Sequence, residues 1–357
     1  MHDLERPDLS QVAPSIKAYI EALEAELARL KPRKEQNITI PPGSTDTEVF
    51  EPGELPNTLS LITVSHQGQI KRTSRHLYQR QRRGGMGVFD LETSGEDYPD
   101  HLCIADENQH LLVFTNLAHV YRLPVAKLSL SQVRSKGQTL SDLINLERNE
   151  YPVTLLPDQA NGYVAMVTRK GVVRWLRHHL FGEHMRPGTS FINVGEAGEL
   201  VSACWTPGDA DLFVCTQQGM AIRFSEKLVS PKGDNAIRLA EDDQAVAITA
   251  VRQDSGVFLV SSDGKGTVRS MEGFAPNKSS GGSGKLAIKS NHVISAAAID
   301  QAQDIFILSR LGKIIRFRAD EVPPSEGVVQ GVVCMSLRGD EITAVAKAMQ
   351  APPASFR

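Results

Sequence analysis

One unit recurs six times between residues 61 and 316: an apolar run, a Ser or Thr, two residues, a Gly, and another apolar pair leading to Arg. The copies are LITVSHQGQIKR, LVFTNLAHVYR, VAMVTRKGVVR, LFVCTQQGMAIR, FLVSSDGKGTVR and IFILSRLGKIIR. Ser65, Thr115, Thr168, Thr216, Ser261 and Ser309 each stand three residues before Gly68, Ala118, Gly171, Gly219, Gly264 and Gly312; Ala118 alone departs from glycine. β-Branched and aromatic residues flanking a short turn that needs a positive φ predict a β-hairpin in each copy. The turn positions are 50, 53, 48, 45 and 48 residues apart, room for about four strands per unit, which is the spacing of blades in a radial β architecture. A lone hairpin is marginal in water, so the units must bury their faces on one another. The expectation is an all-β fold of six blades, one domain over residues 58–350.

Ahead of the repeats, Ile16, Ile20, Leu23, Leu27 and Leu30 follow steps of four and three, the stripe of an amphipathic helix within residues 1–31 that opens at Pro14 and stops before Pro32. It is a short element for self-association or for docking on another surface. Residues 32–57 hold five prolines and little periodicity, an extended linker.

The chain has 357 residues, 41% apolar and 23% charged, with 28 glycines and 19 prolines, a soluble, loop-rich composition. It has no apolar run of about 18 residues to span a membrane, and MHDLERPDLS lacks the apolar stretch of a secretory signal. Cys103, Cys204, Cys215 and Cys334 show no C-x-x-C spacing, which predicts reduced core thiols in a cytoplasmic protein rather than a zinc site or a disulfide framework. The formal charge of −3 divides unevenly: residues 1–57 carry 6 Lys+Arg against 11 Asp+Glu, leaving 33 against 31 for the rest.

Inside that near-neutral remainder, residues 66–87 hold Lys71, Arg72, Arg75, Arg80, Arg82 and Arg83 without one carboxylate. A cation also follows every turn: Arg72, Arg122, Arg174, Arg223, Arg269 and Arg316. An arginine at a strand end often only lies along a neighbour with its head in water; six at one register predict a positive rim that attracts a polyanion. Between the first two hairpins lies QRRGGMG, Gln81 to Gly87. Gly84, Gly85 and Gly87 let backbone approach a bulky partner, and Arg82 and Arg83 offer planar forks that match phosphate oxygens.

This stretch resembles the signature heptapeptide of the C-terminal domain of the bacterial DNA gyrase and topoisomerase IV A subunits: a Gln, two basic residues, two glycines, a basic residue and a glycine. The similarity extends over SHQGQIKRTSRHLYQRQRRGGMGV and the later hairpins to about residue 347, four-fifths of the chain. The resemblance implies a six-bladed β-pinwheel that bends double-stranded DNA around a basic perimeter, with the heptapeptide joining the first and last blades and touching the duplex. It implies contacts from Gln81, Arg82, Arg83, Gly84, Gly85 and Gly87, helped by Lys71, Arg72, Arg80 and the rim arginines, with a topoisomerase core or gyrase subunits as partners and a cytoplasmic, nucleoid-associated place. Met86 stands where the family has its third basic residue, which predicts weaker wrapping. NKSSGGSGK, residues 277–285, reads as a degenerate copy with Lys278 and Lys285 as its cations.

No Tyr lies in the Arg-Tyr context of the family's cleaving tyrosine, and no phosphate-cradling ATP motif occurs. The expectation is therefore a non-catalytic module without cofactor or metal. His178, His179 and His184 have no carboxylate or Cys partner at ligand spacing and read as surface histidines. Trp175 and Trp205 read as packing residues. The alternative is a protein-interaction propeller that has lost DNA wrapping, which the near-neutral balance favours.

Overall fold

The computed structural model describes residues 17, 20, 54 and 56–348. Lys17 and Ile20 are helical; the helix expected over 1–31 and the linker over 32–57 otherwise lie outside the described residues.

The repeated Ser/Thr and Gly are explained by the turns. In all six, the amide of the Gly position donates to the carbonyl of the Ser/Thr three residues earlier, at 2.8–3.1 Å. The turn residue is left-handed throughout, and Ala118 adopts φ 58° where the other five copies have glycine. The hydroxyl then accepts the next amide in four copies: Gln69 to Ser65 at 2.8 Å, Val172 to Thr168 at 3.2 Å, Met220 to Thr216 at 3.2 Å, and Lys313 to Ser309 at 3.1 Å. Ser or Thr recurs because it satisfies the amide that the tight turn would otherwise orphan.

Six hairpins result: Leu59–Ser65 with Gln69–Ser74, His110–Thr115 with His119–Pro124, Tyr163–Thr168 with Val172–Arg177, Asp211–Thr216 with Met220–Ser225, Gly256–Ser261 with Lys265–Ser270, and Asp304–Ser309 with Lys313–Arg318. Each first strand pairs on its other side with a third, antiparallel strand: Pro99–Asp106, Pro152–Pro157, Leu200–Thr206, Ala245–Val251, Val293–Ile299 and Ile342–Ala348. A register shift breaks each of these pairings beside the turn.

The fourth strand of a blade comes from elsewhere. It is a two-residue segment in the connector that follows the next blade's hairpin: Gln138–Thr139 for blade 1, Thr189–Ser190 for blade 2, Asp234–Asn235 for blade 3, Lys285–Leu286 for blade 4 and Val332–Val333 for blade 5. Blade 5 also takes Pro324–Ser325 in parallel. Blade 6 is completed by Val88–Phe89, from the connector after the first hairpin, with Phe89 opposite Lys313.

The third strands pack against one another in a closed circuit, blade 6 against blade 1 included. They line an axial channel of about 1470 Å³. The apolar core is six clusters, each between adjacent blades; Ile62, Val64 and Ile70 of blade 1 meet Leu111, Val113 and Tyr121 of blade 2, and Leu61 and Leu102 of blade 1 meet Phe306 and Leu308 of blade 6. Burial pushes the Cys103, Cys204 and Cys334 thiols up to about 12, which leaves them unreactive. Trp175 stacks on Tyr163 at 4.0 Å and donates to Glu226, while Trp205 donates to the Pro157 carbonyl at 2.8 Å.

Candidate nucleic-acid interface

The six arginines expected to form an outer rim are turned inward. Arg72, Arg223, Arg269 and Arg316 are at most 8% exposed, and Arg122 and Arg174 are partly buried. Four of them reach a carbonyl on the incoming connector: Arg122 to Phe181 at 3.2 Å, Arg223 to Met271 at 2.8 Å and Phe274 at 3.1 Å, Arg269 to Gly327, and Arg316 to Tyr78 at 3.0 Å; Arg174 instead donates to the Phe191 carbonyl on the connector that leaves its own hairpin. Carboxylates neutralise several: Glu107 beside Arg72 at 2.8 Å, Asp158 beside Arg122 at 3.1 Å, Asp211 beside Arg223 at 2.8 Å, and Asp304 beside Arg316 at 2.6 Å. The expected exposed rim is thereby corrected. A guanidinium carries five donors in a planar fork, and an irregular connector presents carbonyls that no ladder satisfies; in blades 2, 4, 5 and 6 the arginine fastens the segment that supplies the outer strand.

Lys71 is likewise inside. Its ammonium meets Asp90 and the Val133 carbonyl, and Asp90 also accepts from Thr63 at 2.7 Å and from Tyr78. Burial holds the Lys71 pKa below its ordinary value despite Asp90. Arg80 pairs with Asp304 at 2.9 Å. Glu54 accepts from Arg75 at 3.0 Å and pairs with Arg316 at 2.7 Å.

The heptapeptide is the segment that closes the ring. The Gln81 amide donates to the Arg316 carbonyl at 2.7 Å, the Gly84 amide to Cys334 at 2.7 Å, and Gly85 accepts from the Ser336 amide at 2.9 Å. Arg83 binds the carbonyls of Glu321 at 2.8 Å and Val333 at 3.0 Å, so it holds the loop to the neighbouring connector. A Cβ at Gly87 would stand 2.6 Å from the Ile314 carbonyl oxygen, where φ is +72°. Only glycine admits the strand Val88–Phe89 at this distance. Arg82 points out, exposed, and Met86 is 48% exposed beside it.

The degenerate copy repeats this geometry. Asn277 donates to the Arg223 carbonyl at 2.6 Å, Gly281 to Ala236 at 2.8 Å, and Gly282 accepts from Arg238 at 2.8 Å, while a Cβ on Gly284 would meet the Ala221 oxygen at 2.6 Å. Lys278 and Lys285 are exposed there. Equivalent connectors place exposed Arg134 and Lys136 on the outer edge of blade 1, Arg186 on blade 2 and Lys232 on blade 3. Arg134, Lys136, Arg186 and Lys232 escaped the sequence reading, which had named Lys278 and Lys285, and so did the counter-charges Glu54, Asp90 and Asp304. A signal for the first group existed: Gly87, Gly137, Gly188, Gly233, Gly284 and Gly331 recur 45–51 residues apart, each just before an outer strand.

The family described as DNA gyrase C-terminal domain, beta-propeller, matches residues 60–98, 210–252 and 303–348. By repeat and by fold, the ring is similar to the DNA gyrase A C-terminal domain. Similar curated proteins include the DNA gyrase A subunits of Escherichia coli (strain K12), 27% identical over 79% of this chain and 33% of that protein, and of Lawsonia intracellularis, 30% identical over 79% and 36%. That of Staphylococcus epidermidis is 26% identical over 95% and 40%. The chain thus spans about a third to two-fifths of these relatives. A solved gyrase A C-terminal domain shares the fold at a TM-score of 0.73 and 21% identity, covering 81% of this chain and 99% of that one; a topoisomerase IV C-terminal domain does so at 0.58 and 20%, covering 82% and 93%. The matched stretches correspond to the part of the gyrase A subunit described as its C-terminal domain, a beta-propeller. Among the described residues, no helix is long and apolar enough to cross a membrane.

Proposed function

We propose that the chain is a non-catalytic module that binds and bends duplex DNA along the outer edge of the ring, in support of a type II topoisomerase in the bacterial cytoplasm, at the nucleoid. The observation that carries this reading is the ring-closing heptapeptide, which fixes its backbone through Gln81, Gly84 and Gly85 and leaves Arg82 free to face solvent on the outermost strand's approach. The phosphate contacts fall to Arg82, Arg134, Lys136, Arg186, Lys232, Lys278 and Lys285, not to the arginines inside the blades. Backbone contacts of this kind give affinity without base choice. Smooth bending of 20–30 base pairs costs on the order of 1–6 kcal/mol, which such contacts must exceed.

A band-shift titration of a short duplex tests it. With six to ten phosphates neutralised, affinity falls about a thousandfold or more between 50 and 200 mM salt. Arg82→Ala reduces the logarithmic salt slope by about 0.9, and Met86→Arg, which restores the family's third cation, raises it by about the same. Salt-independent affinity, or no binding, would leave the ring as a protein-interaction propeller instead.

A further inference from the structure

The outer edges of the six blades differ sharply in charge. Each edge is made by one connector, and the connectors can be compared residue by residue. Residues 75–87, at blade 6, hold four Lys/Arg and no carboxylate; Arg75 is buried against Glu54 and Arg80 pairs with Asp304, which leaves Arg82 and Arg83 at the edge, while residues 125–137, at blade 1, hold three exposed cations, Lys127, Arg134 and Lys136, and no carboxylate. Residues 178–188 at blade 2 and 271–284 at blade 4 have one of each sign, and 226–233 at blade 3 have two cations and one carboxylate. Residues 319–331, at blade 5, have no Lys or Arg and three carboxylates, Asp320, Glu321 and Glu326. Asp320 and Glu326 are exposed, Asp320 paired with Arg318 just ahead of the connector, whereas Glu321 accepts the Arg83 and Arg318 amides; with Arg318 counted, the edge still has an excess of two carboxylates. The cationic edges of blades 6 and 1 therefore adjoin each other, and the anionic edge of blade 5 lies next to them across the joint between blades 5 and 6.

We infer that the duplex follows an arc rather than a full circle: it is held most tightly over the edges of blades 6 and 1, continues over blades 2 to 4, and is turned away at blade 5. This rests on the DNA reading above. Two duplex ends cannot overlap on the ring if one edge repels phosphate, so a single segment is bound with a fixed starting point. The field of each edge extends over about 8–10 Å at ordinary ionic strength, less than would let the cations of blade 6 mask the carboxylates of blade 5 along the whole edge.

The test uses the full chain and duplexes of graded length. For the wild type, affinity stops rising at a length set by five edges. Asp320→Lys/Glu326→Lys opens the sixth: the saturating length increases and the logarithmic salt slope steepens by about 1–2, as two added contacts require. Asp209→Lys/Asp254→Lys makes the same charge change away from the outer edges and leaves both readouts at the wild-type values. Lys136→Glu, in the strong part of the arc, flattens the slope by about 0.9 or more. If the blade 5 variant behaves like the control, or Lys136→Glu changes nothing while the wild type binds, the arc is wrong. If the wild type binds no duplex at any length, the DNA reading itself falls.

Discussion

At Arg316 the guanidinium lies against Asp304, Glu54 and the Tyr78 carbonyl, with Asp304 fully buried. Removing one member of a buried pair leaves the other uncompensated, at a cost of about 3–5 kcal/mol. Arg316→Leu should therefore lower the thermal midpoint strongly, whereas Arg82→Ala, on an exposed side chain, should stay within about 0.5 kcal/mol of wild type by denaturant unfolding. A repeated arginine was legible in the sequence, but its burial was not. Strand alternation distinguishes apolar from polar positions, and it cannot distinguish a guanidinium in water from one satisfied by carbonyls of a connector 48 to 238 residues away. Glu54 supplies a pH handle on the same cluster. Burial alone would raise its carboxyl pKa, but bonding to Arg75, Asn57 and Arg316 outweighs this and holds it below the ordinary 4.5. Because the folded value lies below the unfolded one, the stabilisation is complete above the unfolded value and is lost as pH falls through the folded one. Glu54→Gln should lower the midpoint at neutral pH, and the gap between variant and wild type should close under acid conditions.

Hairpins were readable because a turn with a required glycine and a capping hydroxyl repeats at a fixed interval. The outer strands were not, since two residues carry no alternation to detect. Their mark is instead the glycine that precedes them. Gly87→Ala would place a Cβ 2.6 Å from the Ile314 oxygen in a left-handed backbone, and it should destabilise by about 2 kcal/mol or more, with loss of amide protection first at Lys313 and Ile314. Gly327→Ala, with nothing within 4 Å and no left-handed φ, should be near neutral in the same measurement. The turn at Ala118 shows how context overrides a residue rule: its methyl is fully buried in the cluster between blades 2 and 3, and that packing offsets the left-handed backbone.

For the whole molecule, the number of blades followed from six copies of one turn at a regular spacing, because a period of about 50 residues admits few architectures. Which edge is cationic did not follow, since it depends on an exchange of outer strands that scrambles sequence order by one blade. That exchange also has a consequence for synthesis. Phe89 pairs with Lys313, so a segment made early has no partner until some 224 further residues have been translated. At about 5–20 residues per second, Val88 and Phe89 wait on the order of 10–45 s at the ribosome with their backbone hydrogen-bonding groups unpaired.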